Sequence, residues 1–200
     1  MKISSIFTIT ILFLFQSGPS FGQTFESELV QSALDRINHD VVYDGSYISI
    51  PYPNGDVPSN IGVCTDVVIR SYRKSGYDLQ KLVHEDMKAS FSSYPSKRIW
   101  GLNSTDKNID HRRVPNLQTF FSRNGSSLPV TMEKSDYKPG DLVTWMVNGR
   151  LPHIGIVTDK VSFKTGNPLI VHNIGSGPEL EDMLFKYPIT GHYKYVPNKI

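Results

Sequence analysis

The sequence is short of cysteine: among 200 residues there is one, Cys64. A lone cysteine forms no internal disulfide, so the chain is not a disulfide-stapled scaffold. Charge of one sign is also lacking. Lys and Arg number 21 against 19 Asp and Glu, a formal net charge of +2. With no run of Lys and Arg longer than a doublet such as Arg112-Arg113, that balance gives no electrostatic footprint for nucleic acid. No Gly-x-Ser-x-Gly elbow, His-Glu-x-x-His zinc motif or phosphate-cradling glycine loop occurs, which removes the commonest serine-hydrolase, zinc-peptidase and nucleotide-binding signatures. A zinc site from His111, His153, His172 and an Asp is the one metal arrangement left open. None is assigned, and no cofactor is expected.

Long apolar runs are absent except at the start. Lys2 precedes an apolar stretch, Ile6 to Phe15, broken only by Thr8 and Thr10, and Ser20-Phe21-Gly22 follows. This is the pattern of a signal peptide, residues 1–22, with cleavage before Gln23. The expectation is an exported protein, periplasmic or secreted, with no lipid anchor, no membrane span after cleavage and a monomeric state. Residues 23–200 are long enough for one domain with its own core.

Along that domain, Phe25, Leu29, Val30, Ala33, Leu34 and Ile37 recur at helical spacing, so 24–39 reads as an amphipathic helix. Val41 to Ile50 reads as a hairpin around Asp44-Gly45. Pro51 to Asn60 is loop by its Pro, Gly, Asn and Asp content. A helix starts near Cys64 with Val67, Val68 and Tyr72 as its apolar stripe and ends at Ser75-Gly76. Further helices are expected over 79–90 and 115–123, the latter with Pro115 in its first turn. Residues 94–114 read as irregular. Four β-prone runs follow, 141–147, 154–158, 169–174 and 193–196. Helices first and an antiparallel sheet afterwards indicate an α+β domain.

Cys64 is the first candidate for chemistry. At a helix start its sulfur would face unpaired backbone N–H groups and the positive end of the dipole, which predicts an accessible and unusually acidic thiol. A thiolate nucleophile needs an imidazole to accept and return its proton. Of six histidines, His39 and His84 read as surface residues and His192 has no assigned role. His153 and His172 lie on consecutive strands. A register symmetric about their loop pairs residues whose numbers sum to about 325–327, bringing the two rings to one face. Gly155, beside His153, is expected to let the Cys64 helix approach closely.

Four segments, Gly62-Val63-Cys64-Thr65-Asp66-Val67-Val68, Gly140-Asp141-Leu142-Val143-Thr144-Trp145, Pro152-His153-Ile154-Gly155-Ile156-Val157 and Val171-His172-Asn173-Ile174-Gly175, resemble the motif order of NlpC-type cell-wall peptidases. More narrowly, the chain resembles an exported bacterial family known as domain of unknown function 1287, through Val83-His84-Glu85-Asp86-Met87, Asn108 to Asn116 and Thr190-Gly191-His192-Tyr193. The broader resemblance implies a papain-like fold with a Cys-bearing helix on an antiparallel sheet. By it Cys64 is the nucleophile, His153 the base and His172 the orienting residue. The implied activity is amide hydrolysis in peptidoglycan. A thiol acyltransferase (a transpeptidase) and a non-catalytic wall-binding module are the alternatives.

Tyr52, Asp66, His111, Arg112, Arg113 and Asn173 are candidate substrate-binding residues. Tyr52 stands where such enzymes carry an oxyanion-binding tyrosine, or is a packed loop aromatic. Arg112 and Arg113 are candidates for gripping a stem-peptide carboxylate, since Arg binds carboxylates bidentately. With Asp110 they could equally be a loop stitched by its own ion pairs. The chain departs from the pattern at Val63, where the peptidases usually have Asp, and in the long stretch 77–136.

Overall fold

A computed structural model describes residues 24–198; the expected signal peptide lies outside the described residues. Helix α1 (Phe25–Arg36) is capped by the Thr24 hydroxyl, which accepts from Ser27 N–H at 3.2 Å, and carries Glu26 and Glu28 in its first turn and Arg36 in its last. That order suits the helix dipole. Leu29, Val30 and Ala33 form its buried face.

The expected hairpin over 41–50 is not formed. Strand β1 (Val42–Tyr43) instead pairs in parallel with β2 (Ile61–Gly62), Tyr43 opposite Gly62. The Asp44 carboxylate accepts from Ser46 N–H at 2.8 Å, an Asx turn that takes the chain out of strand conformation where a hairpin would need to return.

Helix α2 (Cys64–Lys74) follows at once and is buried over every residue from Cys64 to Tyr72. Even Arg70 lies inside. Its guanidinium bonds Asp56 and the carbonyls of Val57, Pro58 and Ile61, which fixes the proline-rich loop ahead of the helix. Helix α3 (Leu79–Ala89) is capped by Asp78, α4 (Ser96–Trp100) is a short helix within the stretch read as irregular, and α5 (Val114–Asn124) carries Pro115 in its first turn.

The remaining strands are β3 (Ser126–Ser127), β4 (Leu142–Val147), β5 (Leu151–Val161), β6 (Pro168–Asn173), β7 (Pro178–Glu181) and β8 (Ile189–Lys194). They form one antiparallel sheet in the order β3-β8-β4-β5-β6-β7. The fold is therefore α+β, as expected. Period-2 alternation divides its side chains. Leu142, Ile154, Ile156, Val171 and Tyr193 pack against α1, α2, α3 and α5 in the larger core. Val143, Trp145, Val157 and Ile170 face the other way, onto Tyr137, Met183 and Leu184. The Trp145 indole N–H, fully buried, donates to Leu184 C=O at 2.9 Å, so this apolar face keeps no orphaned donor.

Candidate active site

Cys64 is the first residue of α2. Val63, at the cap position, has no side-chain acceptor, and the Asp66 carboxylate takes its N–H at 2.7 Å instead. The sulfur's other neighbour follows from the sheet. Val157 directs its N–H and C=O to the β4 side, bonding Asp141 and Gly140. By alternation Ile154 points its N–H toward β6. The β5–β6 ladder ends at Ile156↔Val171, and beyond that end the Ile154 N–H meets the Cys64 sulfur. The nucleophile candidate thus sits where two strands part, beside the peptide unit that joins His153 to Ile154.

The expectation of an exposed, acidic thiol is corrected here. Cys64 is 4 % exposed. Burial pushes the thiol up to about 12, with Asp66 adding to the rise, against the opposing pull of the Ile154, Thr65 and Cys64 backbone N–H groups. The helix start does favour the thiolate, but loss of hydration outweighs it.

The ladder sum of 327 at Ile156↔Val171 sets Gly155 across from His172 and leaves His153 diagonal to it on the same face. The rings meet edge to face, His153 Nε2 to His172 Nδ1 at 3.1 Å. Gly155 has a different task from the one expected. A Cβ there would come within 2.6 Å of Ile170 Cγ2 and 3.1 Å of His172 Cβ. It makes room for β6 and the second imidazole, not for α2.

His172 Nε2 lies 3.0 Å from Glu181 Oε2 on β7. Proton accounting along this chain has one consistent solution for neutral rings. The Glu181 carboxylate only accepts, so His172 Nε2 carries a proton and His172 Nδ1 does not. His153 Nε2 must then be the donor between the rings, which leaves His153 Nδ1 as an unprotonated base. That nitrogen has no protein hydrogen-bond partner among the described residues. Burial lowers His153 to about 3, helped by His172, and His172 to about 4, helped by Lys186. Both rings are neutral near pH 7. Among the described residues no hydrogen bond yet joins either ring to the sulfur.

Glu181 was not among the sequence candidates. β7 is four residues long and follows Gly175-Ser176-Gly177, which reads as turn. The available signal was a carboxylate two residues beyond the partner of His172, since His172 pairs with Glu179.

The substrate-binding candidates disperse. Tyr52 packs edge-on against His84, ring centroids 5.0 Å apart, with Lys107 over its face. Tyr43 neighbours the thiol instead. It is held by its pairing with Gly62, and its phenol is pushed up to about 12 by burial first and by Cys64 and Asp66 next. Arg112 does not reach outward. Its Nε and Nη2 each donate to an Asp66 oxygen at 2.8 Å, with side chains 2 % and 3 % exposed. The pair is neither a carboxylate grip nor a solvated loop bridge; it bolts the turn before α5 to the start of α2. Arg113 bonds Asp110 at 3.2 Å and covers the Trp100 ring at 4.2 Å.

His111 is buried, lowered to about 3 chiefly by burial and then by Arg112 and Arg73. It does not join the histidine pair. Among the described residues no three His, Cys, Asp or Glu side chains converge as a metal would require. Asn173 Nδ2 donates to Gly62 C=O at 3.4 Å, tying the end of β6 to the segment before Cys64. His192, left unassigned by sequence, lies in β8, stacked on Tyr137 and bonded to Asp141 at 2.8 Å and Pro129 C=O at 3.1 Å.

Fold and site together define an α+β protein whose central strand carries a histidine, linked through a second histidine to a glutamate, beside a buried cysteine at a helix start. Residues 30–195 match the family described as domain of unknown function 1287, and the chain belongs to it. It is 48 % identical over 167 residues, 84 % of this chain and 80 % of the relative, to the uncharacterized protein YijF of Escherichia coli (strain K12). No helix among the described residues is long and apolar enough to cross a membrane.

Proposed function

We propose that this protein is an exported cysteine hydrolase of papain-like fold, cleaving an amide bond in peptidoglycan stem peptides through a Cys64 acyl-enzyme. The observation that carries the reading is the Glu181–His172–His153 chain, which leaves His153 Nδ1 unprotonated on the residue next to Ile154, whose N–H meets the sulfur. An unprotonated ring nitrogen on the residue beside the thiol's N–H partner supplies the base that activation of a neutral thiol requires.

In this reading the Cys64 thiol proton moves to His153 Nδ1 as the sulfur attacks the scissile carbonyl. The S–C bond forms and the carbonyl oxygen becomes an oxyanion. Its donors are the Cys64 backbone N–H and the Tyr43 hydroxyl, which a raised pKa keeps protonated. Collapse breaks the C–N bond, and the imidazolium returns its proton to the departing amine. Water, deprotonated by the same nitrogen, then releases the acid and restores the thiol. Glu181 stabilises the positive charge passing through the ring pair, and its distance from the thiol keeps it out of the covalent steps.

The assignment of wall peptide as substrate rests on the signal-peptide pattern of residues 1–22 and on the motif resemblance. The test is incubation of purified muropeptides with wild type, Cys64→Ala and Glu181→Gln, products being followed by mass. Wild type should hydrolyse one amide, Cys64→Ala none, and Glu181→Gln should be slower by roughly ten- to a hundredfold, the scale of a lost orienting charge. Intact muropeptides after wild-type incubation sink the wall assignment; hydrolysis by Cys64→Ala sinks the thiol mechanism.

A further inference from the structure

We propose that the open cleft between α4, α5 and β8 is a binding site for an acidic saccharide, separate from the chemistry at Cys64. The cleft has a volume of about 710 Å³, and no Asp or Glu lines it. α5 is amphipathic about it. Leu117, Phe120 and Phe121 are buried in the core, while Gln118, Thr119 and Ser122 form the opposite, cleft-facing stripe.

The charges at the rim are of one sign. Arg123 is committed to Asp86 through bonds of 2.8 and 3.2 Å. Lys97 and Arg98 are exposed and have no ion-pair partner among the described residues. Two unpaired cations at the mouth of an acid-free cleft attract an anion.

The wall chemistry narrows the anion to one carried on a hydroxylated ring. The Gln118 amide donates to Thr144 and Thr190 Oγ1 at 2.9 and 3.2 Å, so its orientation is fixed and its Oε1 is left as an acceptor. Thr119, which lines the cleft, donates its Oγ1 proton to Pro115 C=O at 3.1 Å, which leaves its oxygen as an acceptor. Preset acceptors along the wall suit a ligand rich in O–H donors, and the rim cations suit its carboxylate. A bare phosphate ion would use the cations and leave the wall acceptors unanswered. An acidic peptide would offer few hydroxyls.

Thr144, which receives the Gln118 bond, pairs with Ile154. A polymer seated in the cleft would therefore lie one strand from the N–H that meets the Cys64 sulfur. Only that link to the nucleophile depends on the hydrolase reading; the binding site does not.

The test is an NMR titration of the isotope-labelled protein with N-acetylmuramic acid, N-acetylglucosamine, inorganic phosphate and a Glu-containing tripeptide. The acidic sugar should give saturable shifts at Gln118, Thr119, Ser122 and Thr190, with weaker binding of the other three. The Lys97→Ala/Arg98→Ala variant, altered only at exposed side chains, should keep its melting temperature and bind the acidic sugar roughly tenfold more weakly. Equal affinity for the neutral sugar, phosphate or peptide overturns the proposal. So does an absence of saturable shifts, or unchanged affinity in the double variant. Cys64→Ala should bind as wild type does, so loss of hydrolysis and loss of binding are read independently.

Discussion

Cys64 is a case of two opposing influences on one proton. The N–H groups of Ile154, Thr65 and Cys64 favour the thiolate, burial favours the thiol, and the balance lies near 12. With His153 lowered to about 3, the resting pair is neutral thiol and neutral imidazole, unlike the ion pair expected of an exposed helix-start cysteine. Iodoacetamide labelling should accordingly be slower than that of a free cysteine at pH ~7 and keep climbing past pH ~9. A rate plateau between about pH 5 and 8 would show a thiolate–imidazolium pair and overturn this account. The spatial pairing of His153 with His172 is legible from sequence, because each lies on a β-prone run and strand periodicity constrains which face a side chain takes. Glu181 is not, because it ends a short strand behind a Gly-Ser-Gly turn. Nor is the burial of the thiol, which depends on how residues distant in sequence cover it.

At the level of elements, four helices and the strands β4, β5 and β6 announce themselves by period; the short α4 and β7 do not, β8 starts four residues ahead of the expected run 193–196, and further misreadings occur where partners are remote. Val42-Tyr43 pairs with Ile61-Gly62 and not with a neighbouring run, and no local pattern encodes that choice. The same holds for Arg112, whose partner Asp66 is 46 residues away. Charge and doublet spacing read it as a surface group, while the structure makes it the inner bolt between α2 and the turn at Asp110–Arg112. Removing one partner of a buried, bidentate pair leaves the other charge without compensation, at a cost of about 3–5 kcal/mol. Arg112→Ala should therefore lower the unfolding free energy measured in urea by that scale, and Asp66→Asn in the same chain should recover part of the loss. If Arg112→Ala is as stable as wild type, the bolt carries no weight and the residue returns to consideration as a ligand contact.

Across the whole molecule, three buried histidines, His111, His153 and His172, are lowered from 6.5 to about 3, 3 and 4 by burial. In the unfolded chain they take up protons near 6.5, while in the folded protein they resist until far lower pH. Their contribution to stability is complete above about pH 6.5 and is lost as pH falls toward their folded values. Asp110 works the other way: burial raises it from 3.8 to about 6, so its contribution is present below about pH 4 and lost as pH rises through about 6. Three groups outweigh one, and the urea midpoint should fall between about pH 6.5 and 4, less steeply in His172→Asn. A midpoint that is level or rising over that interval would contradict the neutral histidines. The bolt between Asp66 and Arg112 has a consequence in time as well. During synthesis Asp66 leaves the ribosome 46 residues ahead of the guanidinium that answers it, so the start of α2 stays unsettled until the turn before α5 has emerged. A chain held half-folded between the two would hold out its cysteine on a half-anchored helix, and the thiol would be more open to oxidants than in the folded protein.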